Sequence, residues 1–138
     1  MKGRYVGLGM GALVALAVLL SFPSCGHDQK LVSIALQPSG GFVFEGFGAQ
    51  GQFTALGNFI HPPQTKDVTN EVVWKLDIAN FGTLTQTGQI TYTRTDGCGS
   101  GNVTATASPG GSLPTAGSVF IGTAPVKGVN DGTSNCAP

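Results

Sequence analysis

Apolar and polar residues alternate along most of this chain with a period of two, the spacing that puts successive side chains on opposite faces of a strand. Leu31 to Gln37 carries Val32, Ile34 and Leu36 on one face and stops at Pro38, and Ser39-Gly40-Gly41 makes a turn. Phe42–Glu45 is a second short apolar segment. Gln52–Phe59 puts Phe53 and Ala55 on a common face, and Glu71–Leu76 does the same for Val72, Trp74 and Leu76. Further strands are predicted over 78–84, 88–93, 102–107 and 118–123, and 60–65, with its Pro62-Pro63 pair, reads as a loop. No window after Cys25 sustains a helical period. The expected architecture is all-β: about seven short strands separated by glycine- and proline-rich turns, forming a two-sheet sandwich with an immunoglobulin-like layout. Trp74, Phe53 and Val72 are its expected core.

The N-terminal segment breaks this pattern. Lys2 and Arg4 form a basic head, an uncharged apolar run extends from Val6 to Phe22, and Pro23-Ser24-Cys25 follows. That order is the layout of a bacterial export signal whose removal leaves Cys25 as the first residue. The apolar run sits at the short end of what a bilayer-spanning helix requires, about 20 residues. Gly7 and Gly11 form a GxxxG pattern, for which a glycine-rich export signal is the simpler account. Lipidation at Cys25, plain cleavage and a retained anchor all place the rest of the chain outside the cytoplasm. The organisation expected is a signal peptide over 1–24, a tether over 25–30, and one β domain with a C-terminal tail over 31–138.

Charge narrows the partners. The chain carries seven Lys and Arg against seven Asp and Glu, and two of the cations leave with the signal. A slightly acidic, sparsely charged domain has no basic patch for nucleic acid. Membrane association would run through a lipid on Cys25. The three cysteines, Cys25, Cys98 and Cys136, are an odd number for an exported protein. With Cys25 acylated, Cys98 and Cys136 remain as a disulfide pair worth roughly 4 kcal/mol through loop closure. A metal site using those cysteines with His27 or His61 lacks any closely spaced ligand pair, and no metal or cofactor is expected.

Two family resemblances emerge. Phe22-Pro23-Ser24-Cys25 resembles the lipobox of bacterial lipoproteins, with Phe22 at the usual leucine position and Pro23 an uncommon middle residue. Leu31 to Pro38, Gly48 with Gln52-Phe53-Thr54-Ala55, Asp67-Val68-Thr69 with Val72 and Trp74, Gly88-Gln89-Ile90-Thr91, and Gly101 to Thr106 together resemble the group 2 bacterial immunoglobulin-like domain. The resemblance implies a single copy of a module used in surface proteins, including adhesins. It departs after Trp74, where Lys75 to Asn80 replaces the usual serine-rich stretch. The resemblance implies a fold and no particular ligand.

Catalytic signals are weak. Gly46 to Gly51 matches GxGxxG after a strand, but a dinucleotide site needs a helix next, and Gln52–Phe59 reads as a strand. His61 precedes two prolines in a loop, and no Gly-x-Ser-x-Gly elbow occurs. Asp67, Glu71 and Asp77 are spread out as solubilising residues, and Asp96 lacks a calcium loop's acidic ladder. Asn102-Val103-Thr104 is a glycosylation sequon inside a strand of a bacterial-looking chain, and is discounted. The expectation is a non-catalytic envelope lipoprotein, at the outer membrane or cell surface, otherwise secreted or periplasmic. It would serve display, adhesion, or protein or carbohydrate binding. The alternative is a small accessory enzyme or enzyme inhibitor with a site in the loops near Phe59–Gln64 or Asp96–Gly101.

Overall fold

A computed structural model describes residues 28–94 and 98–129, and these contain strands, turns and no helix. The strands are β1 (Lys30–Gln37), β2 (Phe42–Glu45), β3 (Gln50–Gln52), β4 (Thr54–Ile60), β5 (Gln64–Asp67), β6 (Val73–Leu76), β7 (Gly82–Leu84), β8 (Gln89–Tyr92), β9 (Gly99–Ala107) and β10 (Phe120–Val129). They form three hydrogen-bonded groups, ordered β1-β4-β5, β3-β8-β7 and β2-β10-β9-β6. All pairings are antiparallel except β2 with β10, which is parallel. Only Phe53 separates β3 from β4, and its N–H donates to Gly88 O at 2.9 Å, carrying the β3–β8 pairing forward. The first two groups therefore share one continuous segment of chain. This arrangement is consistent with a β-sandwich. The signal segment, the lipidation position Cys25, His27 and Cys136 lie outside the described residues, as does Asp96.

Several boundaries differ from the expectation, each for a local reason. A bulge between Leu31 and Ser33 shifts the register of β1 on β4. One extra residue flips the alternation, so Leu31 faces inward at 2 % exposure and Val32 turns out at 42 %. The region after Pro62-Pro63 is not all loop, because Gln64–Asp67 folds back on β4 as a fully exposed edge strand. Only the end of the predicted 78–84 strand is extended, as β7, since Asn80 adopts a left-handed backbone with φ 61°. β9 begins at Gly99, inside the predicted turn, and β10 runs on to Val129 through residues read as tail. In both, the missing cue is the partner strand: Gly99 pairs with Gly128 across nine matched positions.

The core lies between the layers. Phe53, Ala55, Phe81, Ile90, Tyr92, Val103, Ala105 and Ala124 are completely buried, and Trp74 and Val72 are close to it. Six aromatics form a connected run: Trp74 against Phe53, Phe53 edge-on to Phe42 at 4.8 Å, Phe42 beside Phe44, Phe44 stacked on Tyr92, and Tyr92 edge-on to Phe81 at 5.0 Å. Offset and edge-to-face geometries add about 0.5–1.5 kcal/mol per pair beyond the area they bury. The polar ends are satisfied locally. Trp74 Nε1 donates to Thr69 O at 2.8 Å, and Thr69 Oγ1 accepts the Ala55 N–H at 3.0 Å. The layers approach so closely that two positions in β10 admit only glycine. A Cβ at Gly122 would stand 2.9 Å from Ile34 Cγ2, and one at Gly128 would stand 2.2 Å from the Tyr92 ring.

Candidate functional site

The outward face of the β2-β10-β9-β6 sheet carries the features best suited to recognition. Its inward positions hold Val103, Ala105, Ala124 and Val126, so the residues between them point to solvent. The register sets them in rows. Val73, Thr106 and Ile121 are aligned across three strands, with Val73 63 % and Ile121 61 % exposed. Lys75, Thr104 and Thr123 form the next row, then Asn102 and Pro125, then Ser100, Lys127 and Val43. Val43 is itself 64 % exposed. Three large aliphatics thus stand on a field of hydroxyls, at positions where solubility favours polar residues.

A shallow trough of about 430 Å³ opens at one end of this face, lined among others by Phe42, Val43, Ser100, Asn102, Pro125 and Lys127. Its polar groups are fixed from the side. Asp77 Oδ1 accepts the Asn102 N–H at 2.6 Å, and Oδ2 accepts Asn102 Nδ2–H at 2.9 Å. These two bonds lower the Asp77 pKa from its ordinary value of 3.8, the backbone bond contributing most. The Asn102 side-chain oxygen remains as an acceptor beside the trough. Lys127 forms no ion pair with another described residue, so its ammonium is available as a donor. Aliphatic surface beside one amide acceptor, one hydroxyl and one ammonium can hold an apolar or sugar face and orient polar groups around it.

The residues singled out from sequence are scattered. Trp74, Phe53 and Val72 are buried in the core. Cys98 lies immediately before β9, whereas Cys25 and Cys136 fall outside the described residues. His61 is exposed at the tip of the β4–β5 hairpin with φ 60°. Asp67 accepts the Thr69 N–H at 2.9 Å, and its pKa is lowered, first by the Thr69 side chain and then by that backbone bond. Among the described residues, no three His, Cys, Asp or Glu side chains come together. The sequence reading missed Val43, Ile121 and Lys127 as a shared surface. An aliphatic residue in a strand resembles core until its neighbours are known, and the parallel β2–β10 pairing joins segments far apart in the chain. No family model and no curated protein matches this chain.

Proposed function

We propose that this chain is a non-catalytic cell-envelope lipoprotein, displaying one immunoglobulin-like domain whose β2-β10-β9-β6 face binds a protein or carbohydrate ligand. Exposed Val73 and Ile121, aligned on either side of half-buried Thr106, carry the reading, because they place aliphatic surface where an unliganded sheet is ordinarily polar. The strand order supports the fold. An immunoglobulin-like sandwich sets its first, second, fifth and fourth main strands in one sheet and its third, sixth and seventh in the other. Here β1, β3/β4, β8 and β7 make the first set, and β6, β9 and β10 the second, with β2 added in parallel to β10. Motifs like those of the group 2 bacterial repeat fall on these strands, with Trp74 on β6.

The attachment follows from Cys25. Lys30 already belongs to β1, and Gln29 is held to β5 by hydrogen bonds with Gln64 and Lys66. A lipid on Cys25 would therefore hold the domain close to the membrane, with the Cys98–Cys136 bridge tying the tail to the start of β9. The test is binding of the full chain to immobilised extracellular-matrix proteins and to bacterial and host polysaccharides, comparing wild type with Val73→Ser/Ile121→Ser. Ligand capture that drops at least about tenfold in the variant, with unchanged circular dichroism, supports the reading. Capture unaffected by the substitutions, or confined to the opposite sheet, overturns it.

A further inference from the structure

Strand β6 is an edge. Among the described residues it pairs with β9 on one side only, and the ladder runs through alternate residues: the Asp77 N–H donates to Asn102 O at 3.1 Å, which puts Asp77, Lys75 and Val73 on the bonded side. By the same alternation the backbone groups of Trp74 and Leu76 point away from β9, toward the place a further strand would occupy. A side chain stands there instead. Gln86 Oε1 accepts the Trp74 N–H at 3.2 Å, and Gln86 Nε2 donates to Trp74 O at 3.3 Å. One primary amide thus reproduces both hydrogen bonds that an antiparallel neighbour would make to Trp74. Lys75, exposed at the middle of the same four-residue strand, adds a charge.

We infer that Gln86 and Lys75 guard the free edge of β6, keeping it closed to strand addition by a second copy of this chain. A second copy carries the same edge, and two identical edges meet antiparallel about a two-fold axis. Centred on this short strand, that pairing sets Trp74 of each chain across from Leu76 of the other and Lys75 across from its own symmetry mate. Like charges directly opposite one another disfavour the pair, and lysine on an edge strand is a recurrent defence against such association. The amide must also be displaced before the first inter-chain bond can form. Exposed Val73, beside the edge, would otherwise reward the encounter.

Sedimentation equilibrium of the full chain, in detergent with micelles well in excess, tests this. Wild type remains one chain per micelle. Gln86→Ala self-associates about thirtyfold more tightly, the worth of four net backbone hydrogen bonds, two freed in each chain, and added salt strengthens its association by screening Lys75. Lys75→Thr/Gln86→Ala associates more tightly still and loses the salt dependence. Folded variants that sediment as wild type at every concentration overturn the inference. Hydrogen exchange of wild type needs no variant to fold: slow exchange of the Trp74 amide is expected, and exchange as fast as an exposed turn amide shows that the guard is not formed.

Discussion

Asp77 holds Asn102 with both carboxylate oxygens, one on the backbone N–H and one on the side-chain amide. The pair joins the end of β6 to β9 and fixes a polar group of the trough, so one contact serves both the sheet and the candidate site. Because these bonds favour the ionised form, the folded-state pKa lies below 3.8 and the unfolded value does not. Their stabilisation is complete above the unfolded value and is lost as pH falls through the folded one. Asp77→Asn should therefore lower the urea midpoint near neutrality, and the gap from wild type should close as pH drops below 3.8. A gap independent of pH would show that the charge is not what matters.

Thr69 occupies a second junction. It accepts the Ala55 N–H, and its carbonyl accepts from the Trp74 indole. Thr69→Val preserves shape but leaves a buried N–H without its acceptor, a loss of about 1–3 kcal/mol by denaturant titration. Trp74→Phe should cost at least as much, because it removes the indole donor and opens space against Phe53.

Two glycines should behave oppositely. Gly128→Ala drives a methyl into the buried Tyr92 ring and should destabilise by about 1–3 kcal/mol. At Gly40 an added Cβ meets nothing within 4 Å, so Gly40→Ala should change stability by less than about 0.5 kcal/mol. Thermal unfolding of both variants checks the contrast.

Cys25→Ser should move the exported protein from the detergent-rich to the aqueous phase on phase partitioning, since the lipid proposed on Cys25 is the anchor removed. Intact mass of the non-reduced native protein should show a diacyl- or triacylglyceryl addition and no free thiol. Two free thiols at Cys98 and Cys136 would end the bridge proposal.

The sequence was most legible where one strand reports on itself. Phe53 with Ala55 and Val72 with Trp74 share faces by period alone, and these residues are buried. Glycines and prolines mark several turns near where they occur. It was least legible where the outcome depends on a partner strand. β5 carries no apolar residue, and its edge position comes from folding back on β4. The register bulge that exposes Val32 has no signature in residue type.

By itself, then, the amino-acid sequence determined the class of fold and part of its core, Phe53, Val72 and Trp74 among it, because side-chain alternation and backbone stiffness are properties of neighbouring residues. Only the tertiary structure decided which aliphatics remain outside, that Val43, Ile121 and Lys127 share a face with Val73, and that Gln86 closes the edge of β6. Each of those depends on pairing between segments distant in the chain, where hydrogen-bond register, not local preference, sets what meets what.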